Sequence, residues 1–180
     1  SINLTVLNKV MRFGLPFLPA AIFTIIMESA DRFILSYMLN DYMVGIYSAS
    51  YKLGVLGLLV VMAFNMGWTP YFLKQKNNDE AYLEFSMIST IFLGILGFLG
   101  IIITVILPFA TSIQLFGYTI IGEAFFDGIH ITPIILMGYY FFGIYVLLLP
   151  TIYNYNATYL IPYFRFLGAT VNIVLNILLI

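Results

Sequence analysis

Four charged side chains stand in stretches otherwise too apolar to hold them. Glu28, Asp31 and Arg32 lie in one apolar run and Lys52 in the next. A charge within a membrane span is costly and rare, and by default it marks ion, proton or substrate handling. The two runs are joined by a turn centred on Asp41. Asp31 lies ten residues before that turn and Lys52 eleven after it. At about 1.5 Å per residue both sit roughly 15 Å below it, so antiparallel neighbours would bring them to one depth. Glu28 and Arg32 are spaced i, i+4 with the acid first, the favourable order for a helical pair. The four charges sum to zero. One chemistry for such a set is structural, a neutral cluster that pins two helices together. The other is a polar patch lining a cavity. There Arg32 or Lys52 would contact an anionic group, and Glu28 or Asp31 would take up a proton. A guanidinium suits phosphate in a way an ammonium does not.

The remaining polar candidates are fewer. Asn172 and Asn176 share one helix face at i, i+4, where they serve either as interhelical hydrogen-bond glue or as cavity lining. Asn65 sits in the same run as Lys52, three residues before Trp68, a residue type common at membrane interfaces. His130 lies near Asp127, with no Ser, Cys or metal partner in view, so no catalytic site and no metal site is expected. The chain has no cysteine, which removes disulfides, thiolate metal sites and thiol nucleophiles. No cofactor is expected either. Asn156-Ala157-Thr158 fits a glycosylation sequon, but in a loop assigned to the cytoplasmic side it is read as chance. Gly54, Gly57, Gly94, Gly97 and Gly100 are expected to let helices pack closely.

The elements that must position these residues follow from composition. Of 180 residues, 62% are hydrophobic and 8% charged, and the mean hydropathy is +1.03. A soluble domain has about 25% charged residues, so lipid is the solvent for most of this chain. Backbone groups in hydrocarbon must be satisfied internally, which leaves helices or closed barrels. The apolar runs are too long for barrel strands and do not alternate. Five spans are expected, at about Phe13–Leu39, Met43–Tyr71, Phe85–Ala110, Ile131–Tyr153 and Tyr159–Ile180. Pro16 and Pro19 fall in the first turns of the first span, where a missing donor is tolerated. Pro150 is expected to kink or end the fourth. The segment from Thr111 to His130 is expected to hold an interfacial helix.

Lys9, Arg12, Lys74 and Lys76 fall on one side of this arrangement, and Asp41, Glu123 and Asp127 with His130 on the other. Basic residues mark the cytoplasmic side, so the N-terminus of the chain is expected inside. Arg165, a turn or two into the fifth span, would snorkel to the same side. No signal peptide, internal repeat or soluble domain is visible in these residues. Ser1 is not an initiator methionine and Ile180 falls inside an apolar run. The chain is therefore expected to be an internal piece of a longer protein.

Several stretches resemble a known family. They are Arg12-Phe13-Gly14-Leu15-Pro16 with Pro19, then Ser29-Ala30-Asp31-Arg32-Phe33. Next come Val44-Gly45-Ile46-Tyr47-Ser48 running into Ala49-Ser50-Tyr51-Lys52, then Phe64-Asn65 and Trp68-Thr69-Pro70. Pro133 to Gly138 and Asn172 with Asn176 extend the likeness. In this order they resemble the polysaccharide and O-antigen flippases of the multidrug/oligosaccharidyl-lipid/polysaccharide exporter superfamily. The resemblance implies two six-helix bundles around a central cavity. This chain would supply about five helices of the second bundle, residues 1–180, without the N-terminal bundle. It implies a multi-pass protein of the bacterial cytoplasmic membrane that moves lipid-linked saccharide by alternating access. Its partners would be that lipid-linked saccharide, membrane lipid and the missing bundle, with no nucleic acid. Arg32 and Lys52 would contact the head group, Asn65, Asn172 and Asn176 would line the substrate path, and Glu28 or Asp31 would couple ions. In the family the loop before the last span tends to be basic. Here it reads Tyr153-Asn154-Tyr155-Asn156-Ala157-Thr158.

Three other readings compete. A drug/cation antiporter of the same superfamily would share the fold without a sugar pathway. A membrane glycan polymerase or ligase would need a polar catalytic loop, and Thr111 to His130 offers only Glu123, Asp127 and His130. The chain is expected not to be an enzyme. A purely structural membrane subunit would use the charge cluster only to hold helices.

Overall fold

The computed structural model describes residues 4–75, 80–110, 113–115, 118–119 and 121–179. Lys76, counted above with the basic side, and Ile180, the expected end of the last span, lie outside them. The elements in order are helices α1 (Leu4–Gly14), α2 (Phe17–Met38), α3 (Asp41–Lys74) and α4 (Ala81–Ala110). A short antiparallel pair follows, β1 (Gln114–Leu115) and β2 (Tyr118–Thr119), then a 3-10 helix (Glu123–Ile131). Helix α5 (Thr132–Asn154), one 3-10 turn (Thr158–Leu160) and α6 (Ile161–Leu179) complete the order. Among the described residues five helical stretches are long and apolar enough to cross a membrane. The fold is thus the expected all-α membrane bundle. The segment before α5 does contain a helix, but a tight 3-10 one, preceded by a two-residue strand pair.

Local chemistry explains the boundaries. α1 is amphipathic, with Leu4, Leu7, Val10 and Met11 on one arc and Asn8, Lys9 and Arg12 on the other. It ends at Gly14, and Pro16 stands at the start of α2. Pro19 falls in the first turn of α2, where its missing N–H breaks no helical bond. At the other end of α2, Leu39 N–H closes onto Leu35 O at 2.9 Å. Asn40 then caps α3, its Oδ1 accepting the Met43 N–H at 3.0 Å. Ser36 Oγ donates to Asp41 Oδ1 at 2.8 Å and ties the two helix ends together. Pro150 does not end α5, which runs on to Asn154. The stop is a Schellman motif. Asn156 takes the left-handed conformation with φ 52. Its N–H bonds Tyr153 O at 3.1 Å, and Ala157 N–H bonds Ile152 O at 2.9 Å.

The chain divides into two compact units, one running up to Met43 and resuming at Thr151, the other from Val44 to Pro150. In the first, α2 lies along α6. Phe13, Phe17 and Tyr153 form a ring cluster with centroids 5.6–6.2 Å apart.

In the second unit the buried residues of α3 form one stripe: Ile46, Ser50, Gly54, Gly57, Val61, Trp68 and Phe72. The early half is small and the late half bulky. The early half meets α5 and the 3-10 helix. A Cβ on Gly54 would collide with the Ile135 side chain, and one on Gly57 would press on Leu136 and Tyr139. Ser50 Oγ donates to Gly128 O at 2.6 Å, and Thr132 Oγ1 donates to Ser50 O at 3.4 Å. The late half meets α4 through aromatics. Phe64 stacks on Phe92 at 3.8 Å, and Trp68 meets Phe85 edge-on at 5.2 Å. Trp68 is 3% exposed, so it is a core residue here and not a member of an interfacial belt. It lies seven residues after Val61 on the stripe, which turns it inward. Gly94 and Gly100 have no neighbour within 4 Å among the described residues, so the expected close packing does not involve them.

The contact at Ser50 yields a prediction. A Cβ on Gly128 would overlap Ser50 Oγ and Ile46. Gly128→Ala should therefore lower stability by about 1–3 kcal/mol. Ser50→Ala, which leaves Gly128 O without its buried donor, should cost about 1–3 kcal/mol as well. Gly94→Ala should leave the thermal midpoint of the detergent-solubilised protein unchanged or raised. Equal midpoints for Gly128→Ala and Gly94→Ala would refute the close approach.

Candidate functional site

The polar centre of the first unit is built on the seam between α2 and α6. One face of α2 presents Ala20, Phe23, Thr24, Met27 and Asp31 at three- and four-residue steps. Phe23 meets Phe166 of α6 edge-on at 5.3 Å. A Cβ on Gly168 would stand in ordinary van der Waals contact with the Met27 thioether. Further along, Asp31 Oδ1 accepts a hydrogen bond from Asn176 Nδ2 at 2.7 Å. Residue numbers rise together along both helices, so α2 and α6 run parallel, as the first and last of five alternating spans must.

Asn176 does double duty. The same Nδ2 reaches Asn172 Oδ1, one turn back, at 3.3 Å. Asp31, Asn172 and Asn176 thus form one hydrogen-bonded chain across the seam, each residue half-buried. The bond to Asp31 is charge-assisted when the carboxylate is ionised, and such bonds are about twice as strong as neutral ones. Of the two asparagines, Asn176 makes the interhelical hydrogen bond and Asn172 accepts within α6. That Asp31 would be their partner was not foreseen.

Glu28 and Arg32 lie beside this seam, on one flank of α2, and both are exposed. Arg32 Nη1 approaches the Glu28 carbonyl oxygen at 3.5 Å, a long contact within the helix. Counting back from Met38, Arg32 is about 9 Å and Glu28 about 15 Å from the end of α2. The seam residues are engaged with α6, while these two present their charged groups to the outside of the unit.

Lys52 belongs to the second unit. It stands two residues from Ser50, on the side of α3 opposite the buried stripe, and is exposed. Asn65 is half-buried on the core-facing half of α3, and its Oδ1 accepts the Thr69 hydroxyl at 3.0 Å. Asp127 and His130 are exposed on the 3-10 helix.

Against this geometry stands one match to known proteins. Residues 2–76, spanning α1 to α3, match the family described as polysaccharide biosynthesis protein. The likeness covers these residues, less than half of the chain. No curated protein and no solved structure matches it. The family segment contains Glu28, Asp31, Arg32, Lys52 and Asn65, while Asn172 and Asn176 lie beyond it. Together with the five apolar spans, this likeness points to a multi-pass membrane protein with a part in polysaccharide synthesis or export.

The seam is testable by a double-mutant cycle. Asp31→Leu and Asn176→Leu should each destabilise the solubilised protein. Their effects should be non-additive by about 0.6–1.7 kcal/mol, the range found for hydrogen bonds between membrane helices. Asp31→Asn, which keeps an acceptor oxygen, should lose less than Asp31→Leu. Strict additivity would mean that the bond contributes nothing.

Proposed function

We propose that this chain is part of an alternating-access transporter that flips lipid-linked oligosaccharide or polysaccharide precursors across the bacterial cytoplasmic membrane. The observation that carries the reading is the exposure of Glu28 and Arg32 deep along α2, beside a seam already filled by Asp31 and the asparagines. A charge facing hydrocarbon at such depth costs about 2.5–3.5 kcal/mol on insertion scales. A polar cavity along that flank removes the cost. The match of this same segment to a polysaccharide biosynthesis family supports a saccharide-bearing substrate.

On this reading Arg32 and Lys52 contact the phosphates of the lipid carrier, Arg32 with two parallel hydrogen bonds. Asn65, Asn172 and Asn176 add polar lining. Glu28 or Asp31 takes up the coupling proton. Protonating Asp31 would weaken its bond to Asn176, and so loosen the α2–α6 seam as the access state changes. The basic residues Lys9 and Arg12 of α1 put the N-terminus of the chain in the cytoplasm. An N-terminal bundle completes the cavity, and the chain performs no bond-making chemistry of its own.

The test uses cells deleted for the full-length gene and restored with wild type, Arg32→Ala or Arg32→Lys. Deletion should cause lipid-linked oligosaccharide to accumulate on the cytoplasmic face. Wild type should clear it, Arg32→Ala should leave export at least tenfold down at equal protein abundance, and Arg32→Lys should recover part of it. No accumulation on deletion would overturn the flippase reading in favour of a drug/cation antiporter. An abundance loss matching the export loss would assign Arg32 a structural role.

A further inference from the structure

The first unit has a second polar feature, away from the Asp31 seam. Lys9, Arg12 and Phe13 of α1 line a cleft of about 680 Å³ together with Asn156, Thr158 and Tyr159 from the connection between α5 and α6. The cleft is held in shape on each side. Thr158 is buried, and its Oγ1 donates to Phe13 O at 3.4 Å, fastening the connection to the end of α1. The Schellman turn holds Asn156 in the left-handed conformation at the rim. The Phe13–Phe17–Tyr153 ring cluster anchors the end of α1 to α2 and α5.

Its chemistry is one-sided. Two permanent cations, an amide and a phenol face the space, and among the described residues no carboxylate lines it. Like charges brought to one cleft without an acid call for an anion. Arg12 can grip two oxygens of a tetrahedral oxyanion, Lys9 supplies a point charge, and Asn156 and Tyr159 can donate to what remains. The opposite arc of α1 carries exposed Leu4, Leu7, Val10 and Met11. A helix with a basic face and an apolar face lies in the plane of the membrane interface, its charges at the level of the head groups. Tyr155, Tyr159 and Phe13 are exposed around the rim and offer rings to a lipid's upper acyl carbons.

We infer that this cleft holds the phosphate of an anionic membrane phospholipid, which serves as a fixed head-group ligand between α1 and the α5–α6 connection. The loop itself is not basic, but α1 supplies the charge that the loop lacks. The inference does not depend on the transport reading, since a bulk lipid would occupy the cleft whatever the protein carries.

The experiment is native mass spectrometry of the full-length protein in detergent, titrated with phosphatidylglycerol or phosphatidylcholine. Phosphatidylglycerol should be retained and phosphatidylcholine should not. Lys9→Gln and Arg12→Gln should each weaken retention roughly fivefold, and the double variant about 25-fold, as expected for basic groups at an anionic surface. Arg12→Lys should keep most of it. Lys74→Gln, the same charge change in the other unit, should have no effect. An unchanged thermal midpoint for the double variant establishes that it is folded. Full retention by that variant, or equal retention of phosphatidylcholine, would overturn the inference. Displacement by millimolar inorganic phosphate would replace the lipid with a free anion. Displacement by equimolar polyprenyl diphosphate would give the cleft to the transported lipid. Either result overturns the assignment to membrane phospholipid.

Discussion

Every peptide group in hydrocarbon must find its hydrogen-bond partner within the protein, and that requirement governs the rest of this structure. The long helices α2 to α6, of 19–34 residues, satisfy it along their lengths. Their ends need other means, and the chain supplies one at several of them. Pro16 opens α2 without a donor to satisfy, Asn40 caps α3 with its side-chain oxygen, and Asn156 closes α5 by turning left-handed. Pro70, Pro108 and Pro150 lie inside helices that continue past them. Each removes one backbone bond, a loss that the surrounding turns absorb.

With lipid outside, burying apolar side chains brings little driving force, so helices must associate by fit and by polar contact. The two units use these differently. The second relies on fit. Small residues on the early half of α3 admit α5 and the 3-10 helix, and a run of stacked rings on its late half engages α4. One buried hydroxyl, Ser50, bonds the backbone of Gly128 where no side chain could stand. The first unit relies on polar glue. Its α2–α6 seam begins with ring and thioether contacts and ends in the Asp31–Asn176–Asn172 chain.

The charges of the set differ in their surroundings. Asp31 is engaged by α6, whereas Glu28 and Arg32 on the adjacent flank of α2, and Lys52 on the outer face of α3, are not drawn into the core of their units. All lie within the segment that matches the polysaccharide biosynthesis family. The asparagines that hold Asp31 lie more than a hundred residues later, so the polar centre of the first unit joins the matched segment to the unmatched one.

Much of this was legible in the chain itself. Five spans, their approximate limits and the neutral charge set follow from hydropathy and spacing, because a span's length is dictated by bilayer thickness and its charges are conspicuous against an apolar background. The partner of Asp31 was not legible. Asn176, 145 residues away, donates to it, and only the parallel packing of α2 against α6 brings it there. Trp68 read as an interfacial residue by type and position, yet it is buried because α3 rolls its stripe toward α4. Lys9 and Arg12 served in the sequence only to orient the chain. That they share a cleft with Asn156 and Tyr159 was decided by the clamp of Thr158 on Phe13. Local sequence determines which segments are helical and how deep each charge lies, since both depend on near neighbours and on the solvent. Which face meets which partner depends on contacts between distant residues, and only the tertiary structure decides that.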